Sequence, residues 1–256
     1  MIIKIESDIH LGFNPEYVPK LDNIDLYILA GDISEKSQGV EWCLNLLNEN
    51  KDLHIIYVNG NHEYYCKKSN MEKIEASQKE LASQNSRLHF LQNDSVVLNG
   101  IRFIGSTMWT DFDGMNPTAM SRAWANMNDF YQIRYLVYHK LTPYRVAKMF
   151  RDSKDYVFRT LKSSTEKCVV ITHHKPYLSK VNPDTLSSAY EVDLEKELHK
   201  CMNTPLVWIS GHTHSAEDVV RNYSHGDIRF ISNGLGYPNE ESGFNPDFVY
   251  ILTEDV

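Results

Sequence analysis

The sequence predicts an α/β fold of two packed mixed sheets with helices outside, on three observations. Early apolar runs alternate with helical stretches, later apolar runs are joined by turn dipeptides, and five polar blocks each follow directly on an apolar run. Strands are expected at 2–6, 25–30 and 53–59, with helices near 36–49 and 70–84, the alternation of parallel βαβ units. Strands at 95–98 and 101–105 flank Asn99-Gly100, a hairpin turn dipeptide. Helices follow near 118–125 and 143–162, the second with Thr142 as cap and Pro143 as first helical residue. Further strands are expected at 167–172, 206–210, 217–221, 227–232 and 248–252, with His225-Gly226-Asp227 as a second hairpin turn.

A chain of 256 residues can bury a substantial core as one domain spanning 1–256. No repeat, linker or low-complexity segment divides it. The opening Met1-Ile2-Ile3-Lys4-Ile5-Glu6 is too short and too interrupted for a signal peptide and reads as the first buried strand. No uncharged apolar stretch is long enough to span a bilayer, so no membrane partner is expected. Four cysteines without a Cys-x-x-Cys pair suggest reduced thiols and a cytoplasmic protein. The net charge of −8 argues against long duplex nucleic acid but leaves room for a nucleotide.

The polar blocks are Asp8-Ile9-His10, Gly31-Asp32, Gly60-Asn61-His62-Glu63, Thr172-His173-His174 and Gly211-His212-Thr213-His214. Each alone has an ordinary structural reading: Asp8 as a turn residue, Asp32 as a helix cap, Asn61 as a turn residue after glycine. Five in fixed order at strand ends ask for more. Carboxylate, imidazole and amide oxygen without thiolate make a ligand set for two divalent ions, manganese foremost, with iron, zinc, nickel or magnesium also suited. Paired ions of this kind clamp the attacking and leaving oxygens of a phosphoryl displacement. Asp32, with two carboxylate oxygens, is the candidate bridge between them.

These five blocks resemble the motifs of the calcineurin-like metallophosphoesterase superfamily, nearer its compact bacterial and phage-type members than the protein phosphatases. Trp109-Thr110-Asp111-Phe112, Asn128-Asp129 and Asn233-Gly234-Leu235-Gly236-Tyr237-Pro238 add to the resemblance. It implies a layered α-β-β-α sandwich and a binuclear metal-dependent phosphoesterase acting on a small phosphodiester or phosphomonoester, with diesters slightly preferred. It implies Asp8, His10, Asp32 and His214 on one metal, and Asp32, Asn61, His173 and His212 on the other. It also implies attack by metal-activated hydroxide with His62 as general acid, worth typically ~10²–10⁴-fold. Glu63 stands where the family often has Asp, with a carboxylate able to orient His62. A nuclease or cyclic-nucleotide phosphodiesterase is the neighbouring reading. A non-catalytic scaffold that keeps the fold is the reading from another class, and the complete ligand set with His62 speaks against it.

Three further positions are candidates for contact with substrate or support of the ligands: Glu63, His174 and Tyr237. The segment 111–162 is unusually aromatic and is expected to be a helical cap or insertion, serving as pocket wall, core or partner surface. The loop from Lys175 to Ala189 has little periodicity and is expected to run over the site entrance.

Overall fold

A computed structural model describes residues 1–179 and 186–253. The strands in chain order are β1 (Ile2–Glu6), β2 (Leu26–Ala30), β3 (His54–Val58), β4 (Leu88–Phe90), β5 (Asp94–Leu98), β6 (Ile101–Ser106), β7 (Arg134–Leu136), β8 (His139–Lys140), β9 (Lys167–Thr172), β10 (Val207–Ile209), β11 (Ala216–Tyr223), β12 (Gly226–Asn233) and β13 (Val249–Ile251). The helices are α1 (Gln38–Glu49), α2 (Met71–Ala82), α3 (Phe112–Met115), α4 (Pro117–Asn126), α5 (Asp129–Gln132), α6 (Pro143–Ser163) and α7 (Glu195–Lys200).

One sheet has the order β13-β1-β2-β3-β4 and the other β11-β12-β10-β9-β6-β5; β7 and β8 form a separate hairpin. The four strands β1 to β4 are parallel to one another, as are β6, β9, β10 and β12. The edge strands β13, β5 and β11 pair antiparallel, making both sheets mixed. The two expected hairpins, about Asn99-Gly100 and around His225, are the β5–β6 and β11–β12 pairs.

Alternation along the strands explains the layering. In β2, Leu26, Ile28 and Ala30 face a core shared with Phe103, Val169, Ile171, Val207 and Ile209 of the opposite sheet. Tyr27 and Leu29 face the other way, onto Val40, Cys43 and Leu47 of α1. Across the second sheet, Ile104, Val170 and Trp208 turn outward to Val146, Phe150, Val157 and Leu161 of α6. The result is the expected α-β-β-α sandwich. Thr142 caps α6 by accepting from the Arg145 amide, with Pro143 in the first turn, as the sequence predicts.

The structure adds elements the sequence pattern did not announce: β4, the β7–β8 hairpin, α5 and α7. Between β6 and α6 the backbone is unusual. Met108, Trp109 and every residue from Phe112 to Met115 have φ between 56° and 72°, so α3 is a left-handed turn despite its helix-like hydrogen bonds. Within 111–162, Phe112, Phe130 and Phe150 are buried, whereas Trp124, Tyr131, Tyr138 and Tyr144 are exposed. Among the described residues no helix is long and apolar enough to cross a membrane, and all four cysteines are free thiols.

Candidate metal centre

All five polar blocks sit just beyond the carboxyl ends of parallel strands, where α/β sheets place ligands. Asp8 follows β1, Asp32 follows β2, Asn61 follows β3, His173 follows β9 and His212 follows β10. Because β1 to β3 belong to one sheet and β9 and β10 to the other, the blocks meet where the sheet ends converge. Backbone hydrogen bonds tie them together: Asp8 N to Gly31 O, His10 N to Asp32 O and Gly211 N to His173 O, each 2.9 Å. Space is tight. A Cβ on Gly60 would lie 2.1 Å from Asp32 Oδ1 and 2.7 Å from His173 Nε2, so glycine alone fits there.

Asp32 is at the centre. Its Oδ2 lies 3.4 Å from His173 Nε2 and 3.9 Å from both His10 Nε2 and His62 Nε2. Its Oδ1 accepts the His62 amide at 2.8 Å. On one side, His214 Nε2 is 3.6 Å from Asp8 Oδ1 and 3.1 Å from His10 Nε2. On the other, His173 Nε2 is 3.1 Å from both Asn61 Oδ1 and His212 Nδ1. All seven sequence-predicted ligands are therefore brought together. Six of them form the groups Asp8/His10/His214 and Asp32/His173/His212, a third group joins His10 and Asp32 to His62, and Asn61 Oδ1 adjoins the second through His173.

This donor set fits divalent cations. Imidazole nitrogens and carboxylate oxygens converge at hydrogen-bond distance with few protons to share among them, and His212 Nε2 is buried without a hydrogen-bond partner among the described residues. His173 Nδ1 points to the Ala30 carbonyl at 2.9 Å and His214 Nδ1 to Glu240 Oε2 at 2.6 Å. Each such contact makes Nδ1 the protonated nitrogen and leaves Nε2 free as a ligand atom. Burial pushes His10 down to about 3 and lowers His212, keeping both rings in the neutral, ligating form. Burial also opposes charge on His173, yet Asp32 beside it lifts the ring to about 10, a proton that a bound cation would displace.

Five of the seven candidate ligands carry left-handed backbone: Asp8 (φ 53°), His10 (47°), Asp32 (56°), His212 (69°) and His214 (44°). For residues with a Cβ this costs on the order of 1 kcal/mol each. The turns that aim these side chains inward hold that strain.

The three supporting candidates fall in different places. Glu63 is buried, and its carboxylate accepts from the amides of Asp32, Ile33 and Gly60 and from the Tyr57 hydroxyl. Both oxygens thus hold the second and third ligand loops together; neither is bonded to the His62 ring, which was the role expected from sequence. Burial, with Asp32 adding, pushes its carboxyl up to about 7. His174 is buried behind the site, with Nδ1 3.2 Å from the Thr107 carbonyl and its ring 4.2 Å from that of His212; burial pushes it down to about 3. Tyr237 reaches the centre from the loop after β12. Its hydroxyl is 3.1 Å from His62 Nε2 and its ring stacks on His10 at 4.6 Å.

Two further residues, Glu240 and Tyr65, were not singled out from the sequence, and a third, Asp129, entered only within the Asn128-Asp129 stretch and without a role. Glu240 holds His214 and also accepts the Tyr237 amide at 2.9 Å. Tyr65 stacks on His62 at 4.2 Å. Asp129, buried at the start of α5, accepts from Asn61 Nδ2 at 2.9 Å and from the Tyr65 hydroxyl at 2.7 Å. An amide has two ends, and Asp129 takes the donor end, so Asn61 Oδ1 faces the centre. Asp129→Ala is therefore expected to weaken metal binding by about 10–100-fold, measured by titrating metal-free protein. Unchanged affinity would mean that Asn61 is oriented without it.

An open cleft of about 500 Å³ lies over the centre. Its lining includes His62, Tyr65, Asp129, Tyr190, Glu191 and Glu240, and among the described residues no lysine or arginine. Of the loop expected over the entrance, Ser179 and Ser187 line this cleft, while 180–185 lie outside the described residues.

The model of one protein family, described as calcineurin-like phosphoesterase, matches residues 1–216. An uncharacterized protein, L509 of Acanthamoeba polyphaga mimivirus, is 28% identical over 277 residues, covering 98% of this chain and 96% of that one. Among solved structures, the phosphopantetheinyl hydrolase PptH from Mycobacterium tuberculosis is similar in fold. Its TM-score is 0.67 at 17% identity, over 94% of this chain and 93% of that one.

Proposed function

The chain belongs to the calcineurin-like phosphoesterase family and is a metal-dependent phosphoester hydrolase, and from that premise we propose that it cleaves a small phosphodiester at two divalent ions, with His62 as general acid. The observation that carries this reading is the position of Asp32 Oδ2 between the two ligand groups, in reach of His10, His62 and His173. Asp8, His10, Asp32 and His214 would hold one ion; Asp32, Asn61, His173 and His212 would hold the other. When bound, such ions acidify water and offset charge on the phosphoryl oxygens.

The residues of the chain supply the rest. His62 stands at the cleft with Nε2 directed to Tyr237, where it can give a proton to a departing alkoxide. Tyr65 and Tyr237 restrict the ring from two sides, so little orientation remains to be fixed on binding. Glu63 keeps the Asp32 and Gly60 loops in register, and Glu240 keeps the His214 tautomer. We assign His174 a packing role against His212, away from substrate. The 111–162 segment supplies a wall of the cleft through Asp129 and its neighbours.

Asp129, Glu191 and Glu240 give the cleft an acidic border with no described lysine or arginine to offset it. A phosphomonoester dianion meets more repulsion there than a diester monoanion. Manganese is the expected ion, iron, zinc, nickel and magnesium being acceptable to the same ligands. The test is hydrolysis of matched aryl phosphodiester and phosphomonoester by manganese-loaded protein. A higher rate on the diester is expected. A protein that holds its metal yet leaves both esters intact would overturn the reading.

A further inference from the structure

We propose that the β7–β8 hairpin and the residues packed beside it form a platform for single-stranded nucleic acid, leading to the cleft. The stretch from 130 to 151 contains no Asp or Glu but holds Arg134, Lys140, Arg145, Lys148 and Arg151, in a chain whose net charge is −8. Its aromatic residues divide by burial. Phe130 and Phe150 serve the core, whereas Tyr138 is 88% exposed and Tyr131 and Tyr144 are also open to solvent.

Rings and cations alternate on this surface. Lys140 Nζ lies 5.6 Å from the centre of the Tyr131 ring, and Arg145 lies 3.9 Å over Tyr135. Arg134 pairs in register with Lys140 and donates from Nε to the Lys67 carbonyl at 2.7 Å. That hydrogen bond brings Lys67 and Lys68, both exposed, to the same edge. Cations beside the open Tyr131 and the half-buried Tyr135, with Tyr138 and Tyr144 free of the core, match a strand that offers phosphates and base faces in alternation. Duplex would offer phosphates alone, its bases being stacked away.

The platform adjoins the reaction centre. The connection between α4 and α5 lines the cleft through Asn126, Asn128 and Asp129. The same segment carries half-exposed Trp124, stacked on Phe130, and half-exposed Tyr131. Ile133, next to β7, is bridged to Tyr65 of the cleft lining, so a strand lying on the hairpin has the cleft beside it. This placement makes the strand a substrate and rests on the proposed phosphodiester hydrolysis; binding to the hairpin does not.

The test is fluorescence anisotropy of a labelled single-stranded oligonucleotide with the full metal-loaded chain. It is run beside Tyr131→Ala/Tyr138→Ala and Lys67→Glu/Lys140→Glu, with aryl diester hydrolysis measured on all three. The tyrosine variant is expected to bind about tenfold more weakly. The lysine variant is expected to lower the salt slope by about 0.7 for each phosphate it no longer neutralises. Aryl diester hydrolysis stays at the wild-type rate in both. Equal binding by all three proteins overturns the platform, as does equally tight binding of an abasic strand. So does a dimer that the tyrosine substitutions dissociate in the absence of oligonucleotide binding. Inert aryl esters with ring-dependent strand binding would sink the hydrolytic reading and leave the platform standing.

Discussion

Asp32→Ala is expected to remove both ions and to reduce aryl diester hydrolysis at least about a thousandfold. Metal stabilisation of developing phosphoryl charge is worth several kcal/mol, and each 1.36 kcal/mol is a factor of ten in rate. The neighbouring carboxylate is not free to take over. Asp8, the nearest by role, is committed through both oxygens to the His212 amide and through Oδ2 to the Ser7 hydroxyl. The substitution also frees the His62 amide, which Asp32 Oδ1 accepts. Asp32→Asn separates these effects, since it retains an acceptor for that amide while removing the charge. Metal content per chain and the rate constant are the readouts. Two ions per chain with wild-type activity would refute the bridging role.

His62→Ala should leave metal content intact and lower the rate by about 10²–10⁴-fold. The loss depends on what departs. An aryl oxide leaves without help, whereas an alkoxide needs a proton, so the deficit should widen from aryl to alkyl esters. Tyr237→Phe serves as the control for ring placement, because it removes the hydroxyl 3.1 Å from Nε2 and keeps the stack on His10. An equal deficit for aryl and alkyl leaving groups would show that His62 binds substrate without donating a proton to it.

The layered fold and the convergence of the seven candidate ligand positions were legible because both depend on short-range sequence. Apolar runs mark the strands, and each ligand follows within a few residues of one. What escaped is what depends on tertiary approach. Asp129 was noticed within the Asn128-Asp129 stretch, but it lies 68 positions from Asn61 and nothing in the sequence gives it that partner. Glu240 lies 26 positions after His214 in a loop without periodicity. Glu63 was noticed, but its carboxylate turns away from the His62 ring towards three backbone amides because the two residues share a single 3-10 turn. β4, β7 and β8 are two or three residues long, too short for an alternating pattern to register. The tyrosines of the hairpin look the same in sequence as those of the core, and only exposure separates them.

The left-handed ligand turns bear on how this chain would drift. At positions 8, 10, 32, 212 and 214, backbone energetics alone would prefer glycine, the residue without a Cβ to clash. Aspartate and histidine stand there against that preference, so the proposed metal chemistry, and not foldability, accounts for the residue types at these sites. In a lineage released from the demand for catalysis, the same five codons would be the ones at which inactivation and gain of conformational stability coincide. Loss of function in such a lineage would be favoured by the fold itself, and reversal would have to climb back against it.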